Sequence, residues 1–453
     1  MSDGLKLQAR YDSVLLVCAH IAVCCASLIF IAGYGAGFGF APAKFHVFYD
    51  HTRLATALTI IVAFALISFV FLLAPFSFGY FVGFYSYTMI LGYLWLNCFT
   101  DLNYDHRLAA ASAAVSACAF LLPALFSISP AKQVFVLSES DFDAFLLATL
   151  LIAAATIALG AFYNFRVVPL RDMYEFRQSI GSPVAVNYLL TIVSNTLLPF
   201  AFAAFVARGA SWKATAVLLF LLIFYPITLT KISLLTPAWL VIVLVLSKTL
   251  EARTAVILSL FGPIILGLLL LIALKEHTSF FFYTINFRML AIPSIAMDVY
   301  NHFFSRHDLT YFCQISTLKS VMHCPYQEQL SVVMNREYDL GNFNASMFAT
   351  EGIASVGTFF APIAAFVCGL VVAVGNRLSA NLPPYFVMIS GAVLPQVLLN
   401  VPLTTVLSTH GGVLLFLLWY ITPRSIFQKD SLDRRIDCIG CDDLTVHRAS
   451  DGS

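Results

Sequence analysis

Apolar runs of about 20 residues recur along almost the whole chain, and they constrain its fold more than any other feature. A helix of that length matches the roughly 30 Å hydrocarbon core of a bilayer, because each residue adds about 1.5 Å. The first run extends from Leu15 to Tyr34, and the lack of an A-x-A-like cleavage site favours a retained span over a signal peptide. The other runs lie at 54–74, 78–99, 108–127, 142–162, 187–207, 212–229, 233–248, 254–274, 347–374, 383–402 and 404–422.

These runs predict an all-α, polytopic integral membrane protein with about twelve transmembrane helices. Of the 453 residues, 60% are apolar and 11% are charged, whereas a soluble domain carries about 25% charged residues. So few charges cannot cover a globule of this size in water, which excludes a soluble enzyme and a disordered scaffold. The net charge of +1 excludes binding to nucleic acid through a basic surface. The runs that meet near Thr230 and near Leu403 are the least clearly separate pairs.

The positions of lysine and arginine predict the orientation of the chain. With an even number of spans both ends lie on one side, and the basic residues near both ends predict that this side is the cytoplasm. The loop 163–186 disagrees, since it carries Arg166, Arg171 and Arg177 on the predicted outside. Either one span is miscounted or these arginines have a function there.

The same count divides the chain into four regions. Nine transmembrane helices occupy 1–274, one large extracytoplasmic loop occupies 275–346, three further helices occupy 347–422, and a cytoplasmic tail occupies 423–453. The loop holds four of the ten histidines, and Asn286 to Phe304 within it predicts an amphipathic helix that Pro293 starts or kinks.

Three polar residues of this predicted helix share one face, because they are spaced i, i+4 and i+8. They are Asp298, His302 and Arg306. A solvated face with weak ion pairs and a functional group of side chains both remain open for this trio.

The cysteines make one prediction about the loop. Cys313 and Cys324 both lie in it, where an oxidising compartment permits a disulfide. Cys438 and Cys441 form an isolated C-x-x-C in the tail, and without a second pair this is a weak indication of zinc.

Several catalytic motifs are missing from the sequence. It contains no Walker A motif, no HExxH, no acidic D-x-D motif and no G-x-S-x-G elbow. The glycine cluster at 33–39 ends a membrane span and precedes no βαβ unit, which indicates a flexible helix end. Any chemistry therefore depends on acid–base groups and fixed cations.

Glu351 stands at the start of an apolar span, where a carboxylate is costly without a partner or a function. It lies about one turn inside a helix for which Asn344 or Ser346 is a candidate cap. The alternative is that Glu351 only complements the positive end of its own helix.

Four features of the region around the loop occur in a recognisable order. They are Arg288 followed by Pro293, the segment Tyr300 to Tyr311, the pair Pro325-Tyr326 with the later Tyr338 to Gly341, and Asn344 through Glu351-Gly352 to Gly357. Together they resemble the oligosaccharide repeat-unit polymerases (Wzy-type) of bacterial O-antigen and capsule assembly. The resemblance covers about 70–80 residues, and it departs from the family in lacking an aspartate near Thr350.

The resemblance implies a GT-C-like glycosyltransferase in the bacterial inner membrane that works on the periplasmic face. Its donor and acceptor would be glycans on undecaprenyl pyrophosphate, and the chemistry would need no metal and no other cofactor. A chain-length regulator is implied as a partner, and nucleic acid is not. An O-antigen ligase-like transferase and a transporter, or flippase, of lipid-linked oligosaccharides are the alternatives.

The resemblance also implies roles for individual residues. The pyrophosphate is assigned to arginines, which supply a permanent charge and a bidentate fork. The general base is expected to be Glu351, with His307 or Asp308 next and His323 after them. The expected ligands of phosphate and sugar are Arg288, Arg306, Arg336, Tyr338, Asn342 and Asn344.

Overall fold

The computed structural model of the chain describes residues 3–34, 42–169, 173, 176, 181–274, 279–315, 318–319, 321–341 and 345–427. Regular structure in these residues is helical, and their strand pairing is limited to an isolated bridge between Val47 and Thr100. The predicted all-α class is therefore confirmed. The tail after Phe427, with Cys438 and Cys441, lies outside the described residues.

The helices are numbered here in chain order. They are α1 (Asp3–Tyr34), α2 (His51–Leu73), α3 (Phe78–Leu96), α4 (His106–Phe126), α5 (Glu139–Tyr163), α6 (Val184–Ala207), α7 (Ser211–Thr228), α8 (Lys231–Thr249), α9 (Ala252–Leu274), α10 (279–304), α11 (Leu330–Tyr338), α12 (Phe348–Ser379), α13 (Pro384–Ser390), α14 (Leu394–Leu398), α15 (Leu403–Thr409) and α16 (Gly412–Ile421).

Nine helices in the described residues are long and apolar enough to cross a membrane, and the bent pair α15–α16 would make ten. They are α1, α2, α4 to α9 and α12. The protein is thus a polytopic helical membrane protein, with fewer qualifying helices than the twelve expected. The difference arises at 78–99, where α3 is not among them, and at 383–422, where the chain breaks into four short helices. The pair near Thr230 is two separate helices, α7 and α8.

The central helix α3 is buried along its whole length of 19 residues. Its tyrosines, glycines, serine and threonine lower its hydropathy, but they are covered by neighbouring helices rather than by lipid. Gly92 allows another helix to approach closely, since a Cβ there would lie 2.7 Å from the Oγ of Ser294 and 3.2 Å from the carbonyl oxygen of Leu290.

That other helix is α10, called the crossing helix below. It consists of Ser279–Phe282, a π-helical stretch Tyr283–Ala291, and Ile292–Phe304. Its side chains bond in succession to different spans: Asn286 donates to Ser27 of α1 and to the carbonyl oxygen of Ile264 of α9, whereas Ser294 contacts α3. The helix therefore packs among α1, α3 and α9, and it is not one of the described helices that are long and apolar enough to cross a membrane.

The crossing helix corrects one sequence boundary. The predicted helix over 286–304 forms, but as part of a longer helix whose last 13 residues are nearly all buried. Pro293 neither starts nor breaks it, because the π-helical turns before it accommodate the missing backbone donor. The irregular part of the predicted loop 275–346 therefore begins at about Ser305 in the described chain.

The predicted disulfide between Cys313 and Cys324 is present in this irregular segment. The segment is attached to the membrane part of the protein at Thr310, whose backbone N–H donates to the carbonyl oxygen of Ala354 over 2.8 Å. Of the cysteines in the apolar helices, Cys24, Cys25 and Cys368 are buried and Cys18 is exposed.

Helix α12 contains a sharp turn near its start. Gly357 has a left-handed φ of +79°, and the π-helical stretch Phe348–Ala354 before it packs back against the rest of the helix near Ala361. Glycine is suited to this position because it adopts positive φ without strain. The chain thus enters the bundle from the loop, returns to Gly357, and then crosses.

Candidate functional site

Polar side chains from four separate segments gather where the crossing helix ends. We call this group the loop-side cluster, and its members are His46, Asp101, Tyr104, Asp298, His302, Arg306 and Tyr338.

Asp298 is the buried carboxylate of the cluster, with 2% of its surface exposed. It accepts hydrogen bonds from the hydroxyls of Tyr104 and Thr100, which lie between α3 and α4. Burial raises the pKa of Asp298 to about 6, since desolvation outweighs these hydrogen bonds and the nearby His46. A carboxyl with this pKa changes its charge close to neutral pH.

His302 lies one turn further along the crossing helix and is only partly buried. Its Nδ1 is 2.5 Å from the hydroxyl oxygen of Tyr338 on α11. Burial, followed by the positive charge of Arg306, lowers the pKa of His302 to about 4, so the imidazole is neutral at pH 7. Burial also raises the pKa of Tyr338, which therefore keeps its proton.

Arg306 follows the end of the crossing helix and is exposed. Its guanidinium donates to the carbonyl oxygen of Asn103 over 3.5 Å, a long contact that leaves most of its donors free of protein partners in the described chain. An exposed arginine beside a neutral histidine is able to bind an anion without displacing an ion pair.

The rim of the cluster is formed by one hydrogen-bonded pair and one ion pair. His46 Nδ1 lies 2.9 Å from an oxygen of Asp101, and Lys44 Nζ lies 3.3 Å from an oxygen of Asp339. Both pairs are largely exposed, so each contributes at most about 1 kcal/mol to stability. Their main effect is to connect the segment after α1 to the segments before α4 and after α11.

The three residues that the spacing places on one face all have hydrogen-bond partners in other segments of the chain. Asp298, His302 and Arg306 each bond to another part of the chain, namely the α3–α4 connection or α11. These side chains are therefore positioned by hydrogen bonds to other segments, and not by weak ion pairs along one solvated face.

Glu351 lies apart from these contacts and is 5% exposed. One carboxylate oxygen accepts from the backbone N–H of Thr404 at 2.9 Å and from its hydroxyl at 2.8 Å, and the other accepts from the hydroxyl of Thr350 at 2.7 Å. It therefore stabilises the start of α15, not the start of its own helix. The candidate cap Ser346 leaves its Oγ without a partner in the described chain, and Asn344 lies outside the described residues.

The other predicted site residues are dispersed. Arg336 is ion-paired with Glu328 on the surface, and the ring of His307 stacks on Phe303 with its Nδ1 2.9 Å from the carbonyl oxygen of that residue. Asp308 and His323 are exposed. Asn342 lies outside the described residues, as Asn344 does.

Arg288 lies on the π-helical part of the crossing helix and is partly buried. Neighbouring Phe287 packs against Phe45, which follows α1. No hydrogen bond or ion pair joins Arg288 to another described residue, so its assignment to a phosphate stays a prediction.

The described residues contain no group of three or more His, Cys, Asp or Glu side chains that could hold a metal ion. Three members of the cluster, His46, Asp101 and Tyr104, are not predicted from the sequence. Each stands in a short connection far along the chain from the crossing helix, and neither spacing nor composition signals that these connections meet it.

No protein-family model matches the chain, and neither a curated protein nor a solved structure is significantly similar to it.

Proposed function

We propose that the chain is a membrane-embedded glycosyltransferase that polymerises lipid-pyrophosphate-linked oligosaccharide units at the loop-side cluster. The observation that carries the proposal is the combination, at one edge of the membrane bundle, of an exposed arginine with a neutral histidine and a buried carboxyl of raised pKa. The sequence resemblance supports the same reaction, with undecaprenyl pyrophosphate as the carrier lipid.

In this proposal Arg306 binds the pyrophosphate of the donor. Pyrophosphate leaves readily when its developing charge is matched, and a guanidinium offers fixed charge in a bidentate geometry. Lipid tails would remain among the apolar helices below the cluster, which explains why such a site lies at the edge of the membrane part.

His302 takes the role of general base for the acceptor hydroxyl. In the neutral tautomer whose Nδ1–H donates to the hydroxyl oxygen of Tyr338, Nε2 is the unprotonated nitrogen and can accept a proton. Glu351, the first choice from the sequence, fits this role less well because three hydrogen bonds and 5% exposure limit its access to a substrate.

The disulfide supports an extracytoplasmic position for the cluster. Cys313 and Cys324 belong to the segment that attaches beside it, and disulfides persist in oxidising compartments such as the bacterial periplasm. The proposed location is therefore the bacterial inner membrane, with the cluster on the periplasmic face.

A transporter of lipid-linked oligosaccharides is a second candidate, and a specific observation favours it. The chain contains broken helices inside the bundle, at Gly357 and between α15 and α16, where the bend is 62°. Discontinuous helices of this kind build substrate sites in many transporters.

Reconstitution with a lipid-linked repeat unit distinguishes these functions. Purified protein in liposomes should lengthen the glycan and release lipid pyrophosphate, and Arg306→Ala should abolish both. Transfer of glycan onto a lipid core without lengthening would identify a ligase. Movement of the lipid across the bilayer without new glycosidic bonds would identify a transporter.

A further inference from the structure

Two elements that do not cross the bundle meet inside it. The first is the stretch Phe348–Ala354, which turns back at Gly357, and the second is α15, which bends into α16. Glu351 is the side chain that joins them, through its two hydrogen bonds to Thr404.

Helix lengths indicate that this contact lies well below the loop. Glu351 precedes the turn at Gly357 by six residues, about 9 Å at the α-helical rise of 1.5 Å per residue. From the opposite face, α16 has 10 residues, about 15 Å, and thus reaches about half of the 30 Å hydrocarbon core. The Ile421 end of α16 bonds to Leu137 before α5, on the face away from the loop-side cluster.

The carboxylate has no cation to balance it. None of the ion pairs among the described residues includes Glu351, and the three donors that it has are neutral. An ionised carboxylate at this depth is costly without a positive partner.

The immediate surroundings also contain unused hydroxyls. The hydroxyls of Tyr300 and Ser346 are fully buried and have no partner among the described residues. The charge of Glu351 acts on Tyr300, and Ser346 is one turn before Thr350, whose hydroxyl bonds both the Ser346 carbonyl oxygen and Glu351.

We propose that Glu351 is an intramembrane proton-binding site that links the two re-entrant elements. A bound proton removes the unbalanced charge and gives the carboxyl one donor, which the oxygen of Tyr300 or Ser346 is placed to accept. The same proton weakens the carboxyl as an acceptor for Thr404. Protonation therefore weakens the hydrogen bonds between Glu351 and the start of α15, and deprotonation strengthens them.

The groups that face Glu351 do not compete with it for this proton. Tyr300 on the crossing helix and Cys368 on α12 are the titratable neighbours on which its charge acts, and both are neutral at pH 7. His410, at the other end of α15, is turned toward Thr409 and Thr405 of its own helix.

A hydrophobic carbodiimide tests the proposal, because it modifies carboxyl groups that are protonated and sheltered from water. The reagent is dicyclohexylcarbodiimide, applied to the full chain in liposomes across a range of pH, with mass spectrometry to locate the adduct. Glu351 should be labelled, and its labelling should fall at least tenfold between low and high pH. The exposed Glu328 is the matched control and should remain unlabelled.

Two variants and one ion complete the design. Glu351→Gln keeps the acceptor for Thr404 and should lose the adduct while the protein stays folded and inserted. Thr404→Val removes one hydrogen bond to the ionised form and should shift the labelling profile to higher pH. The proposal would be overturned if Glu351 were not labelled at any pH. It would also be overturned if sodium at constant pH protected Glu351 from the carbodiimide, because that would indicate a site for a metal cation. Neither result depends on glycosyl transfer, so this proposal can fail independently of the proposed function.

Discussion

The loop-side cluster and the Glu351 contact both contain a buried carboxyl group, but they surround it differently. Asp298 accepts from the hydroxyls of Tyr104 and Thr100, and its helix leads on to His302 and, just past the helix end, to Arg306. Glu351 has neutral donors from two threonines and no basic partner among the described residues. The comparison teaches that burial alone does not indicate a reaction site; the neighbouring cation and base do.

The difference also has a structural origin. The cluster lies where short connections meet the end of the crossing helix, so water and a polar headgroup can reach it. The Glu351 contact lies between helical elements, where a substrate of any size would have to separate them. We therefore assign group transfer to the first region and proton binding to the second.

Replacing Arg306 should have the largest effect on this comparison. We expect Arg306→Ala to reduce polymer formation about 10²–10³-fold, the usual loss when a donor to developing charge is removed. Arg306→Lys should recover little of it, because lysine lacks the bidentate fork. The exposed Arg107→Ala at the start of α4 is the matched control, and equal losses in both arginine variants would remove the distinction between the cluster and the general surface.

Replacing His302 separates the assigned base from His307, one of the next choices after Glu351 in the sequence prediction. His302→Gln should lower the rate of glycan lengthening about 10²-fold or more, since a general base contributes on the order of 10²–10⁴-fold. His307→Gln should leave the rate within a few-fold, because that ring stacks on Phe303 away from Tyr338. The measurement is the initial rate with a lipid-linked repeat unit, and the reverse order of effects would transfer the base role to His307.

The packing of the crossing helix against α9 can be tested by replacing glycines of α9. A Cβ at Gly267 would lie 2.0 Å from Oδ1 of Asn286, whereas a Cβ at Gly262 in the same helix meets nothing within 4 Å. We expect Gly267→Ala to destabilise the protein by about 1–3 kcal/mol, as overpacking usually does, and Gly262→Ala to be neutral or stabilising. Thermal unfolding in detergent measures both, and similar melting temperatures would contradict the described packing.

Two opposing pH dependences should be smaller. The pKa of Asp298 is raised from 3.8 to about 6, so this carboxyl makes the fold more stable as pH falls from 6 towards 4. The pKa of His302 is lowered from 6.5 to about 4, so this imidazole makes the fold less stable as pH falls from 6.5 towards 4.

Single variants should separate these two slopes. Asp298→Asn should lose stability on acidification more steeply than the wild type, by up to about 1.4 kcal/mol per pH unit, and His302→Gln less steeply, by a smaller amount because that side chain is partly exposed. Melting temperatures between pH 4 and pH 7 measure the slopes. If melting temperature changed with pH in the same way in both variants, the environments of Asp298 and His302 would not be as described.

Much of the fold is predictable from hydropathy, because a span must be apolar over its whole length. The prediction is least accurate where polar residues are buried by protein instead of lipid. The crossing helix reads as the start of a soluble loop, and α13 to α16 read as two spans. Hydropathy measures composition, and composition does not distinguish a polar helix in water from one covered by its neighbours.

The site is partly predictable for a related reason. The spacing of Asp298, His302 and Arg306 is enough to place them on one face, since helical periodicity is local. Their partners Tyr104, Tyr338 and Asn103 depend on tertiary packing between distant segments, which leaves no mark on spacing. Glu351 is notable in the sequence because of its cost in a membrane, and its partner Thr404 is not.

The most direct test of the central claim is a reconstituted reaction compared between Arg306→Ala and Glu351→Gln. Purified wild-type protein in liposomes receives a lipid-linked repeat unit, and glycan length and released lipid pyrophosphate are measured together. The account predicts lengthening coupled to release in the wild type, its loss in Arg306→Ala, and its persistence in Glu351→Gln. Polymer formation by Arg306→Ala at a rate close to that of the wild type, or no new glycosidic bond in the wild type, would contradict it.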